Sequence, residues 1–147
     1  MKKLASLSVT FTFGMAVLSL PTLALAQTHL GPCNGCGAVH VQLGATGELT
    51  GAGVVVPVTV ACIDNAIHAD IKAHVRQVNS SGSTAAGEGD LPVEPCGSTP
   101  QTVHVVVPYV GRIDLGRAAA SAELDACDST GNNCNILINT AGIDIVD

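Results

Sequence analysis

The sequence predicts an all-β protein, a Greek-key β-sandwich of about seven strands held together by disulfide bonds. Apolar residues alternate with period two in several segments, and Gly, Ser, Asn and Pro separate these segments at the intervals typical of a sandwich. The chain also has six cysteines and only 2% aromatic residues. A core without large aromatic side chains buries less apolar area, and disulfides commonly compensate for this in small exported domains.

The first 26 residues have the pattern of a signal peptide. Lys2 and Lys3 precede an apolar run, Pro21 breaks it, and 24–26 (Ala-Leu-Ala) form a cleavage pattern. We expect cleavage after Ala26 and a secreted, periplasmic or cell-surface location. Since no second apolar run of roughly 18 residues follows, we expect no membrane insertion after cleavage.

The charge of the chain excludes one class of partner. The net charge is −6, and the leader contains two of the six basic residues but none of the twelve carboxylates. The other basic residues are Lys72, Arg76, Arg112 and Arg117. Such a sparse set cannot neutralise a phosphate backbone, so nucleic-acid binding is not expected.

The predicted strands begin after an N-terminal Gly/Cys segment, 27–37, and form a single domain, 38–147. They are 38–44, 53–62, 66–78, 101–110, 116–127 and 134–147, the last as one strand or as two around Ala141-Gly142. In 66–78 an apolar face alternates with a polar one, as in a half-buried strand. Pro57 indicates an edge or a bulge in 53–62. Helical propensity competes in 116–127, but its alternating alanines and leucine favour a strand.

The segments between these strands read as turns and loops. The long Gly-, Ser- and Pro-rich segment 79–100 is the longest candidate binding loop, and 128–133 is a hairpin loop. The glycine-containing stretches 44–53 and 85–90 read as turns, because no P-loop lysine and no βαβ pattern accompany them.

Six thiols allow 15 disulfide pairings, and sequence alone does not choose among them. Strand geometry narrows the set. Cys127 and Cys134 bracket the hairpin loop, where facing strand residues lie within disulfide reach. Cys62 ends one strand and Cys96 precedes another, so that a bond between them would fasten the long loop to the sandwich.

Cys33 and Cys36 then remain for each other, and three chemistries compete for this C-x-x-C motif. A zinc site needs a second closely spaced ligand pair, and a thiol–disulfide centre needs a strand-to-helix junction that lowers the thiol pKa. The motif lies instead in a Gly-rich segment before a strand. We therefore favour a structural disulfide, with thiol–disulfide exchange as an alternative function.

The mature N-terminus would be Gln27-Thr28-His29. A free α-amine, two deprotonated amides and an imidazole at the third position form a square-planar nitrogen set that suits Cu(II) or Ni(II). This metal site is a second alternative function, and cyclisation of Gln27 would remove it.

No catalytic constellation is evident, so we expect a protein that is not an enzyme and needs no cofactor. His68 and His74 share a face but lie roughly 20 Å apart along a strand, and His104 could approach either from a neighbouring strand. Oxygen ligands are dense in 125–133, where a calcium site is conceivable against the simpler interpretation of a solvated hairpin.

Several motifs together resemble small exported bacterial Ig-like domains of unknown function. They are VTVAC (58–62), HVRQ (74–77), CGSTPQTVHVVV (96–107) and the two-cysteine ending GRAAASAELDAC with CNILI. The match covers about residues 54–138, with Ser98 where those domains often carry Gly. The resemblance implies the sandwich and the pairings Cys62–Cys96 and Cys127–Cys134, and it carries no activity.

The closing two-cysteine hairpin is also distantly similar to the neocarzinostatin-type chromophore-binding apoproteins. The aromatic residues that line a chromophore cleft in such proteins are missing here. The sequence as a whole predicts an exported, non-enzymatic binding or structural module, whose partner is a protein or an envelope component.

Overall fold

The computed structural model describes residues 28–29 and 35–147, and its regular structure in these residues is entirely β. Its strands are β1 (Thr28–His29), β2 (Ala38–Leu43), β3 (Thr46–Thr50), β4 (Gly53–Cys62), β5 (Ile67–Val78), β6 (Thr84–Pro92), β7 (Gln101–Val107), β8 (Tyr109–Val110), β9 (Gly116–Cys127) and β10 (Cys134–Val146). The all-β prediction is confirmed. A helix able to span a membrane is absent from the described residues. The predicted signal peptide, 1–26, lies outside them.

The strands form two facing layers. In the first layer, β4 pairs with β7 along one edge and with β2 and β3 along the other. In the second, β9 lies between β10 and β5, and β6 and then β8 extend the layer beyond β5. The fully buried side chains of both layers form one core, composed of Val, Ile, Leu, Ala and Cys. The alternation that predicted the strands thus places one face of each layer in this core.

Strand β3 joins the two layers at one side. It runs antiparallel to β4 through Glu48–Thr50 and parallel to β10 through Thr46–Glu48. The sequence pattern of 44–53 predicted only turns, so β3 was missed. Because β3 bonds to a strand of each layer, it covers edges that would otherwise expose unpaired backbone groups.

At the opposite side, β6 lies directly against the end of β7. A Cβ atom on Gly89 would stand 2.0 Å from the Val106 carbonyl oxygen, and one on Gly87 would stand 2.1 Å from that of Pro108. Only glycine permits this approach of two backbones. The prediction that 79–100 is one loop is therefore wrong: its glycines at 87 and 89 serve close packing within a strand rather than turns.

Pro57 lies inside β4 and not at a sheet edge. It falls between the residues of β4 that pair with β3 and those that pair with β2, and its carbonyl accepts a hydrogen bond from the Gly44 amide at 2.8 Å. The proline thus lacks its N–H where the ladder is already interrupted, which explains why a central strand tolerates it.

Two asparagines of β10 cover the edge of β2 that carries no strand in the described part of the chain. Asn135 accepts a hydrogen bond from the Ala38 amide (2.7 Å) and donates one to the Ala38 carbonyl (2.9 Å). Asn139 accepts one from the Leu43 amide (3.0 Å). Both lie on the core-facing side of β10, the side that also carries the buried Leu137. Their amides take the place of a neighbouring strand.

We expect Asn135→Ala to lower the free energy of unfolding by about 1–3 kcal/mol, because it leaves a partly buried amide and carbonyl without partners. Urea denaturation measures this change. Thr140→Ala, on the exposed face of the same strand, is the matched control and should change stability by less than about 0.5 kcal/mol. An equal effect of the two substitutions would contradict this role of Asn135.

We expect Gly89→Ala to destabilise the protein by on the order of 3 kcal/mol, because its methyl group would overlap the backbone of β7. Gly51→Ala is the control, since nothing lies within 4 Å of a Cβ at that position. Thermal unfolding of both variants tests the prediction. Similar melting temperatures for the two would show that the layers can separate at little cost.

Candidate functional site

Two of the predicted disulfides lie within the described residues. The disulfides Cys62–Cys96 and Cys127–Cys134 are present, with Cα atoms 5.5 and 3.9 Å apart. Cys36 is also disulfide-bonded, and Cys33, its predicted partner, lies outside the described residues. Disulfides of this kind indicate an oxidising, extracellular environment. The first bond fastens the segment before β7 to the end of β4, and the second closes the β9–β10 hairpin.

The predicted N-terminal metal ligands are only partly described. Gln27 lies outside the described residues, whereas Thr28 and His29 form β1, opposite Ile138 and Leu137 of β10. Successive amides of an extended strand point in opposite directions. A chelate that uses the amides of both residues would therefore require β1 to leave β10, and the metal site stays a prediction.

The histidines of residues 35–147 do not converge on one site. His74 lies on the outer face of β5, while His104 lies opposite Pro57 in the other layer. The expectation that His104 could approach His74 or His68 from a neighbouring strand is wrong, because β7 does not pair with β5. Within residues 35–147, no cluster of three or more His, Cys, Asp or Glu side chains could hold a metal ion.

The β9–β10 hairpin loop is organised around the Asp128 carboxylate. It accepts hydrogen bonds from the Thr130 hydroxyl (2.7 Å) and amide (3.0 Å), and from the Asn133 side chain. These bonds lower the pKa of Asp128, the Thr130 hydroxyl most of all. Because donors of its own loop occupy the carboxylate, Asp128 serves as a turn cap, as in the solvated-hairpin interpretation.

An apolar depression lies elsewhere, on the outer face of the second layer. We define the outer groove by His74 and Arg76 of β5, Ala119 and Ser121 of β9, and Thr140 and Gly142 of β10. Its volume is about 400 Å³, within the range of small-molecule sites. A second depression of about 380 Å³ adjoins it and shares Arg76 and Ala119 with it.

Strand register explains the groove. One row across the layer consists of Gly142, Ala119, Arg76, Ala86 and Val110, in which Arg76 is the only long side chain. The neighbouring row contains Thr140, Ser121, His74 and Glu88. The small side chains on β9 and β10 leave a trough beside the longer side chains of β5.

The charges around the groove differ in their pairing. His74 Nδ1 lies 3.5 Å from Glu88 Oε2, and Arg117 Nη1 lies 3.4 Å from Asp144 Oδ2. In the described part of the chain, Arg76 forms no ion pair. The hydroxyls of Ser121 and Thr140 likewise have no hydrogen-bond partner in residues 35–147. The groove therefore offers an unpaired guanidinium and two free hydroxyls beside an apolar floor.

A hydrogen-bond network around the buried Gln77 side chain adjoins the outer groove at Arg76. The Gln77 side chain donates to the carbonyls of Asp114 (2.9 Å) and Arg117 (3.1 Å), and it accepts from the Asp114 amide (2.8 Å). Asp114 accepts from the hydroxyl and amide of Ser80 and from Arg112, and these contacts lower its pKa. The backbone beside Arg76 and Arg117 is thus held by side chains of β5 and of the connection between β8 and β9.

Sequence reasoning did not identify this groove. It used the alternation of Ala118, Ala120, Ala122, Leu124 and Ala126 to favour a strand over 116–127; the strand is confirmed, and these residues are buried in the core. The signal for the groove was the run between them: Ala119 and Ser121 are also small, although they point outward. A strand with small residues on both faces produces a trough wherever its neighbours carry long side chains.

No family model, no curated protein and no solved structure matches this chain. The resemblance to exported Ig-like domains therefore remains an expectation from the motifs alone.

The Asp128 turn cap predicts a pH dependence of stability. Because the folded-state pKa lies below the ordinary value of 3.8, the ionised carboxylate stabilises the fold above that pH. This stabilisation is lost as the pH falls through the folded-state pKa. We expect the melting temperature to fall more between pH 6 and pH 2 for the wild type than for Asp128→Asn. Ser129→Asn, at the adjacent exposed position, should follow the wild type, and equal losses in all three proteins would refute the cap.

Proposed function

We propose that this protein is an exported, non-enzymatic binding module with an Ig-like Greek-key sandwich, and that the outer groove is its binding surface. The disulfides support export, because such bonds persist in oxidising compartments. The strand order supports the Ig-like assignment: β3 changes layers between β4 and β10, and β4–β5 and β6–β7 connect one layer with the other.

One observation carries the binding proposal, namely the concavity of an exposed sheet face that contains an unpaired arginine. Solvent-facing sheet surfaces are ordinarily covered by long polar side chains. Here the middle of the face is small and apolar, and its one long side chain is charged and free of ion pairs. This combination provides apolar contact area together with a group that can orient a ligand.

The proposal of a non-enzymatic function rests on the same face. Apart from the His74–Glu88 pair, its groups near the groove are an arginine and two hydroxyls, and no nucleophile there is hydrogen-bonded to a base in residues 35–147. Binding and orienting a ligand need only groups that attract it or hydrogen-bond to it, whereas nucleophilic catalysis also needs a nucleophile that is hydrogen-bonded to a base. Turnover of any substrate that is abolished by His74→Ala would contradict the proposal.

Affinity capture tests the binding surface. The immobilised protein is exposed to culture medium and to envelope extract of the producing cells, and bound proteins and small molecules are identified by mass spectrometry. Ala119→Trp fills the groove and should abolish retention of the specific ligand. Thr102→Trp, on the outer face of the other layer, is the matched control and should retain it. Capture that is the same for all three proteins would place the binding surface elsewhere.

A further inference from the structure

We propose that the outer groove takes the single carboxylate of an otherwise apolar molecule, with the carboxylate on Arg76 and the apolar part on Ala119 and Gly142. This inference rests on the proposed function, because it names the ligand class of the same groove. Four features of the outer face lead to it: an available guanidinium, an apolar floor, two free hydroxyls and an acidic surrounding.

Arg76 is available and accessible. Its neighbours in the row across the layer are Ala119 on one side and Ala86 on the other, and neither is long enough to cover it. Along β5 it is flanked on the same face by His74, which is already paired with Glu88, and by the uncharged Val78. A guanidinium presents a planar fork of donors that matches both oxygens of a carboxylate.

The floor of the groove favours the hydrocarbon part of a ligand. Ala119 and Gly142 lie opposite each other, and the nearest atom to a Cβ on Gly142 would be Arg117 Nη2 at 3.7 Å. The Arg117 guanidinium therefore lies beside Gly142 at one end of the trough, while Ala119 leaves the rest of the floor apolar and uncharged. A hydrated inorganic anion would gain little from this floor, whereas the hydrocarbon part of an organic acid would lose unfavourable contact with water.

The free hydroxyls of Ser121 and Thr140 lie opposite each other in the neighbouring row. They offer hydrogen bonds to an acceptor on the ligand away from its carboxylate. The carboxyl terminus of a peptide would bring such acceptors in its amide carbonyls, whereas a free aliphatic acid would not. Both kinds of ligand would bind Arg76 through the same group, a carboxylate.

The charge of the surrounding face disfavours a ligand with several negative charges. Further along the same strands, Asp70 faces Asp125 and Lys72 faces Glu123, and Asp90 lies opposite Lys72. The chain as a whole is acidic. Arg76 thus attracts one carboxylate locally, and a polyanion such as a nucleotide or a polyphosphate would meet repulsion from the acidic end of the face.

Titration of the ¹⁵N-labelled protein with three eight-carbon compounds tests the inference. Octanoate, octan-1-ol and octylammonium carry the same hydrocarbon with a negative, neutral or positive head group. We expect octanoate to shift the amide resonances of Ala119, Ser121 and Gly142 and to bind at least tenfold more tightly than the other two. Because this comparison uses the wild-type protein, it does not depend on how a variant folds.

Two variants assign the effect to the guanidinium. Arg76→Gln should weaken octanoate binding at least tenfold, since it removes a charge-assisted bidentate contact. Lys72→Gln removes one positive charge from the same strand and face outside the groove, and should change the affinity less than twofold. A parallel titration with N-acetyl-alanyl-leucine identifies the source: tighter binding than octanoate indicates a peptide carboxyl terminus, and weaker binding indicates a free organic acid.

The carboxylate inference would be overturned if octan-1-ol bound as tightly as octanoate. It would also be overturned if Arg76→Gln left the affinity for octanoate unchanged. Shifts confined to amides outside the groove would contradict it too. Groove resonances that move with protein concentration alone would show that a second copy is the occupant, and would overturn it as well. The proposed function fails on a different result, namely equal ligand capture by the wild type and Ala119→Trp.

Discussion

The close approach of two sheets whose facing side chains are mostly Val and Ala governs this structure. The distance between packed sheets depends on the side chains that interdigitate between them. Strand β9 contributes Ala118, Ala120 and Ala122 to the core, with Leu124 as its largest inward residue in this stretch. At Gly87 and Gly89 even a methyl group is too large. Small side chains bury little area each, so the disulfides and the covered edges must supply stability that a larger core would provide.

The small residues of β9 also create the outer groove. On β9 the outward residues Ala119 and Ser121 are nearly as small as the inward ones, so that the strand is thin on both sides. Its neighbour β5 carries His74 and Arg76 on the outer face, and these side chains form a wall beside the thin strand. The groove is thus a by-product of register: Arg76 stands beside Ala119 because β5 and β9 pair in that alignment.

Local patterns predicted the strands whose inward residues are apolar, and they placed the correct face of β5 in the core from Ala69 to Val75. They failed for β3 and β6 because glycine has the same local signature in a turn and at a backbone contact. Only the partner strand distinguishes the two, and that partner is distant in sequence. Asn135 and Asn139 were overlooked for a similar reason, since a polar residue on an inward face looks unfavourable until the open edge of β2 lies beside it.

The groove could not be predicted for the same physical reason. Its six residues come from three strands, and their lateral order is a property of the sheet. The sequence contains Arg76 and Ala119 as unrelated features, and no spacing rule connects them. In contrast, the hairpin disulfide needed only a turn and two flanking strands, which is why geometry within a few residues was sufficient to suggest it.

The parallel pairing of β3 with β10 has a consequence for how the molecule is made. Residues 46–48 cannot complete their hydrogen bonds until residues 144–146 have been synthesised, and contacts between such distant segments form slowly. During synthesis β3 can bond to β4 alone, and one side of the nascent sandwich stays open.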